Sequence, residues 1–144
     1  MSWRGEQGGV DAAKQNHNVV MTPGGYVYFD HAQNKNEDSL TIGGYLPLEV
    51  VYGYEPIPKE LDSAGAKHVL GAQANVWTEY IGNTQKLEYQ IFPRMSALSE
   101  VIWSPKEKRD YNNFEKRLSN EFKRYDLWKV KYGTQPASVK TNAK

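Results

Sequence analysis

The spacing of apolar positions changes twice along this chain, from helix-like to strand-like and back to helix-like. Residues 10–16, Val-Asp-Ala-Ala-Lys-Gln-Asn behind Gly8-Gly9, form a short helix-favouring run. Asn18-Val19-Val20-Met21-Thr22 is compact and rich in β-branched residues, and Pro23-Gly24-Gly25 closes it, so a strand entering a tight loop is predicted. After Tyr26-Val27-Tyr28-Phe29-Asp30 the chain is polar over residues 31–39, an excursion across the surface. Residues 46–52 predict a short helix with Pro47 in its first turn, ended by Pro56-Ile57-Pro58. Residues 69–77 predict a second buried strand, its Gly71, Ala72 and Ala74 small enough for close backbone packing.

The period then becomes helical for good. Leu87, Ile91, Leu98 and Ile102, with Phe92 and Met95 beside them, predict one long amphipathic helix, and Phe114, Leu118, Phe122 and Tyr125 predict a second one packed on it. Trp103 and Trp128 fall on these stripes and are expected to pack. Residues 133–144 are polar, contain Pro136 and have no period, which predicts a disordered tail after an ordered body of residues 1–132. Short helices alternating with continuously apolar strands predict an α/β fold with a parallel sheet. The chain has 144 residues, enough for one ordinary domain. Two strands, with a third ending at Trp3, cannot close a barrel, since an eight-stranded α/β barrel takes about 250 residues.

Composition narrows the function. Eighteen Lys and Arg against 17 Asp and Glu leave a net charge of +1, and the bases between Lys106 and Lys131 alternate with acids as on a solvated helix face. Nucleic acid is therefore not an expected partner. No stretch approaches about 18 uninterrupted apolar residues, so no membrane span is expected. Cysteine is absent, which removes disulfides and thiolate sites, and His17, His31 and His68 lack the spacing of metal ligands. The opening Met1-Ser2-Trp3-Arg4-Gly5 has no pattern of a signal peptide, and the chain is expected to start inside a structured passage. Arg94 and Glu100, six apart, are not helical neighbours and are expected to make separate structural contacts.

Four Trp and ten Tyr make the chain rich in flat apolar faces. Three of them stand beside a carboxylate just after a predicted strand: Trp3 with Glu6, Tyr28 with Asp30, and Trp77 with Glu79. In parallel α/β folds the carboxyl ends of the strands are where ligand sites form. An indole offers its face to the C–H side of a sugar ring, and a nearby carboxylate accepts hydrogen bonds from the hydroxyls. Three such pairs together point to a carbohydrate.

The run Gly71-Ala72-Gln73-Ala74-Asn75-Val76-Trp77-Thr78-Glu79-Tyr80, followed by Pro93-Arg94-Met95-Ser96-Ala97-Leu98-Ser99-Glu100-Val101-Ile102-Trp103-Ser104, resembles the final strand and helix of the family 20 glycoside hydrolases, the β-N-acetylhexosaminidases. Val19-Val20-Met21-Thr22-Pro23 leading to Tyr28-Phe29-Asp30 resembles the preceding strand and its loop, and Ser2-Trp3-Arg4-Gly5 the strand before that. The resemblance spans roughly residues 1–128. It implies a partial TIM (β/α)8 barrel: the last three βα units plus a C-terminal helix.

It also implies substrate-assisted chemistry, in which the sugar's own 2-acetamido oxygen attacks the anomeric carbon. Tyr28 would donate its hydroxyl to that oxygen. Asp30 and Glu79 would hold outer ring hydroxyls, Trp77 would form the stacking floor, and Trp3 would form a wall at the acetamido methyl. The partner implied is a glycan ending in N-acetylhexosamine, and no cofactor is implied.

One departure from the family pattern matters. The family's catalytic Asp-Glu pair lies on an earlier strand, and no Asp-Glu dipeptide occurs in this chain; Glu37-Asp38 has the reverse order. The isolated chain is therefore expected to be inactive and to self-associate through exposed barrel edges. The parent enzyme is expected to be periplasmic or secreted, and the alternative function is a non-enzymatic carbohydrate-binding or structural remnant.

Overall fold

The β-branched run at Val19 and Val20 becomes strand β1 (Val19–Met21) in the computed structural model, which describes residues 1–37 and 40–134. Strand β2 (Val69–Ala72) runs parallel to it, and Ser2 forms a parallel bridge to Met21 on the opposite side. β1 therefore lies between two neighbours, and its inward residues Val19 and Met21 are buried. Helix α1 (Gln7–Lys14) precedes β1, and the one-turn helix α2 (Gly24–Val27) follows it. Helix α3 (Leu48–Tyr52) starts directly after Pro47, whose fixed φ suits the entry to a helix. A short α4 (Ser63–Ala66), capped by the Asp62 carboxylate on the Gly65 N–H at 2.8 Å, leads into β2.

The long helix expected over residues 87–102 is two helices, α5 (Thr84–Ile91) and α6 (Arg94–Trp103), broken at Phe92-Pro93. Proline has no N–H to donate and its ring collides with the preceding turn, so a continuous apolar period cannot carry one helix through it. The last helix, α7 (Tyr111–Trp128), matches its predicted stripe and buries Phe114, Leu118 and Tyr125. The core lies where α3, α6 and α7 meet the β1 side: Phe29, Val51, Leu98, Val101, Phe114 and Leu118 form one cluster. At its rim the Tyr52 hydroxyl donates to Glu100 at 2.7 Å, and Arg117 grips both oxygens of the same carboxylate at 2.6 and 2.7 Å. Arg94 bonds elsewhere, so Arg94 and Glu100 do make separate contacts.

Three further expectations are corrected. β2 is not a buried strand: Leu70 is 65% exposed, because among the described residues β2 pairs with β1 alone and the register slips between Val19 and Val20, where Gly71 at φ +134° takes a conformation few other residues adopt. Trp103 and Trp128 do not pack, being 86% and 63% exposed, since each is the last residue of its helix and lies past the core. The ordered chain also continues beyond residue 132, since Gly133 is buried and donates to the Phe92 carbonyl at 2.9 Å. Residues 135–144, where most of the tail was expected, lie outside the described residues, as do Asp38 and Ser39 of the polar excursion.

Candidate active site

The three parallel segments end at one edge of the sheet, and backbone pairing fixes how they end. Both the Thr22 N–H and its hydroxyl donate to the Ser2 carbonyl, at 3.0 and 2.9 Å, and the Gly24 N–H donates to the Trp3 carbonyl at 3.0 Å. Trp3 is thereby held beside the end of β1. Beyond β1 the single turn of α2 steps the chain sideways, and Tyr28 then rejoins the ladder opposite Asn75. The Phe29 N–H donates to the Asn75 carbonyl at 2.8 Å and the Asn75 N–H to the Val27 carbonyl at 2.9 Å. Two sequence-distant segments are thus locked in register just where the site residues begin.

All five residues singled out from the sequence, Trp3, Tyr28, Asp30, Trp77 and Glu79, line one cleft of about 940 Å³. Trp3 and Trp77 are 53% and 52% exposed, so about half of each residue stays open at the cleft. The Tyr28 ring stands 6.4 Å from that of Trp77 at 55° and 6.1 Å from that of His31 at 58°, which makes an aromatic corner. Asp30 is buried, and its Oδ1 has no hydrogen-bond partner among the described residues. A buried acceptor left unsatisfied is costly. Glu79 stands exposed on the far wall.

The expected partner of Trp3 is elsewhere. Glu6 precedes α1 and faces a shallow groove with Tyr54 and Glu60, where burial first and the Glu60 charge second raise its carboxyl above the ordinary range. Trp3 has the Arg4 guanidinium over its ring instead, at 4.7 Å.

Other residues of the cleft escaped sequence reasoning. Gln73 and Asn75 line it, with the Gln73 amide donating to the Asn75 side-chain oxygen at 3.0 Å. The signal was available: Gln73, Asn75 and Trp77 recur every second residue, as one face of an extended segment must, and Glu79 follows in the turn beyond. His31, Ile42, Gly43 and Gly44 form another wall, because the excursion returns and Ala32 pairs with Tyr45. No local signal announces that return. Gly44 lies at φ +80° with the His31 ring 3.0 Å from where a Cβ would sit, so its place admits only glycine without movement.

Chemically the cleft is suited to a neutral, polyhydroxylated ring: flat apolar faces, one buried carboxylate, one exposed carboxylate and two amides. Among the described residues no three His, Cys, Asp or Glu are placed to hold a metal ion, and no helix is long and apolar enough to cross a membrane.

Residues 1–106 match the family model described as glycosyl hydrolase family 20, catalytic domain. The chain belongs to that family. A β-hexosaminidase of Porphyromonas gingivalis is 48% identical over 134 residues, 92% of this chain and 17% of that protein. A solved exo-β-N-acetylglucosaminidase of Vibrio harveyi, in complex with N-acetylglucosamine, superposes with a TM-score of 0.82 at 33% identity, over 92% of this chain and 21% of that one. A Streptomyces plicatus N-acetyl-β-hexosaminidase gives a TM-score of 0.79 at 26% identity, over 88% of this chain and 26% of its own. The chain thus spans about a fifth of the length of these relatives. The family model stops at residue 106, whereas the similarity to the Porphyromonas gingivalis relative extends over 134 residues, in keeping with the expected span of roughly 1–128.

Proposed function

We propose that this chain is the last three βα units and C-terminal helix of a TIM-barrel β-N-acetylhexosaminidase, with residues 1–132 belonging to the barrel portion, and that its cleft is the part of the sugar pocket that surrounds the 2-acetamido group. The observation that carries this reading is the meeting of Trp3, Tyr28, Asp30, Trp77 and Glu79, drawn from three separate segments, in one cleft. In the reaction the acetamido carbonyl oxygen forms a bond to the anomeric carbon as the glycosidic oxygen leaves, giving an oxazolinium ion that water then opens. The Tyr28 hydroxyl donates to that carbonyl oxygen and so holds the acetamido group in the orientation from which the oxygen reaches the anomeric carbon. Asp30 and Glu79 accept from outer ring hydroxyls, Trp77 stacks under the ring, and Trp3 closes the methyl side. The general acid belongs to the Asp-Glu pair that this chain lacks, and a missing general acid typically costs about 10²–10⁴ in rate. The match to a catalytic-domain model leaves a non-enzymatic remnant without support. The unpaired edge of β2 and exposed Leu70, Ile102 and Trp103 support self-association of the isolated chain.

The test is kinetic. The isolated chain should hydrolyse an aryl N-acetyl-β-glucosaminide no faster than buffer does. Grafted in place of the matching 134 residues of the Porphyromonas gingivalis relative, it should be active, and Tyr28→Phe should then lower kcat by about 10²-fold, the usual effect of letting a reacting group drift by about 1 Å from its line of attack. Trp77→Ala and Glu79→Gln should act on kcat/KM. Turnover by the isolated chain, or a graft indifferent to all three substitutions, overturns the reading.

A further inference from the structure

Arg94 is wholly buried, and an arginine cannot shed its charge to escape that cost. Its guanidinium is spent almost entirely on backbone oxygens, one of them belonging to the cleft residue His31. Nη2 donates to the Phe29 carbonyl, Nη1 donates to the carbonyls of His31 at 3.0 Å and Leu46 at 3.1 Å, and Nε donates to the Gln90 carbonyl at 3.1 Å. Gln90 is buried too; its side-chain oxygen accepts from Arg94 at 3.1 Å, and its amide donates to the Asp30 carbonyl at 3.3 Å. Arg94 and Gln90 together therefore hold three consecutive carbonyls, those of Phe29, Asp30 and His31. The guanidinium also lies over the Phe29 ring at 4.9 Å, so the residue between Tyr28 and Asp30 is held by ring and carbonyl at once. Leu46 is where the excursion carrying Gly43 and Gly44 returns, so the same cation fixes the opposite wall of the cleft.

We infer that Arg94, with Gln90, is a positioning residue: it touches no substrate but sets the angle at which Tyr28 and Asp30 face the sugar and the distance of the Gly44 wall from them. A buried ion is a poor way to stabilise a fold, since an apolar side chain of similar size often does as well, whereas a rigid fork of five N–H groups can fix several carbonyls at once. The inference rests on the proposed function for its catalytic consequence. Its mechanical part is independent of that reading.

Two measurements separate them. In the full 144-residue chain, Arg94→Lys keeps the charge and loses the fork. Hydrogen exchange should then quicken about tenfold at the amides of Phe29, His31, Ala32 and Leu46, and change less than about twofold along α7, as expected of local rather than global opening. Gln90→Leu should do the same more weakly, and serves if the lysine variant does not fold. Equal quickening everywhere, or none at those four amides, overturns the inference. In the grafted enzyme, Arg94→Lys should lower kcat/KM about 10- to 100-fold, but should add less than about threefold when Asp30 is already Asn, because both changes act through one element. Effects that multiply would reduce Arg94 to a support of the fold and overturn the catalytic consequence. If Asp30→Asn and Tyr28→Phe are themselves silent while the exchange result holds, the proposed function fails and the anchor stands.

Discussion

The two strands of this sheet have similar apolar sequences and opposite surroundings. β1 has a neighbour on each side and helix α1 packed against it, and its inward residues are buried. Among the described residues β2 has β1 on one side only, with a slipped register and an exposed leucine at its centre. An apolar run states that a segment wants covering, and whether the cover belongs to the same chain is a matter of architecture. The closed side finds its partners within 144 residues; the open side is the part of a family fold whose relatives are about five times longer.

The largest effect should come from trading the two sides directly. Leu98→Ala, on the closed side, should cost about 2–5 kcal/mol, because the α3, α6 and α7 contacts around it relax only in part. Leu70→Ser, on the open side, should stay within about 0.5 kcal/mol at a protein concentration low enough to keep the chain monomeric. Urea unfolding of both variants measures the contrast. A Leu70 substitution as costly as the Leu98 one would mean that β2 is covered in solution.

Where the architecture was legible, it was legible through short-range physics. Pro47 opens α3, the stripe from Phe114 to Tyr125 sets α7, and the strand-end pairs of aromatic and carboxylate named the cleft residues. What could not be read depended on the third dimension. Pro93 should have divided the long stripe, but a stripe that continues across the break hides it. Trp103 and Trp128 keep the period while lying one step beyond the core. Glu6 stands three residues from Trp3, yet the start of α1 turns it away, and nothing local draws residues 42–44 against His31. Arg94 reads as one more helical base until the carbonyls that surround it are seen.

A middling effect concerns how the open side finds cover. If isolated chains pair through β2 and the apolar ends nearby, Leu70→Lys with Trp103→Ser should shift light scattering toward monomer, since charge on an open edge blocks pairing. Trp128→Ser, an equally conspicuous loss at the end of α7, should leave the mass unchanged because it is remote from the edge. A parent chain that is already monomeric, or a Trp128 variant that dissociates it, would place association on some other face.

The smallest effect lies away from both strands, where Glu6 and Glu60 share a groove with buried Tyr54. Burial, then the Glu60 charge, raises the folded-state pKa of Glu6 above its unfolded value, so the fold disfavours the ionised form. Well below the ordinary carboxylate range both states hold the proton and nothing is lost. As pH rises through the ordinary value toward the raised one, the unfolded chain ionises first, stability falls, and the loss persists at neutral pH. Glu60→Gln removes the second cause and leaves the first. It should therefore raise Tm at pH 7 by about 1 °C, a modest gain because Glu6 is only half-buried and solvent screens the pair. The gain should vanish near pH 3, where Glu6 is protonated in either background. A gain of equal size at both pH values would assign the effect to packing of residue 60 instead of to its charge.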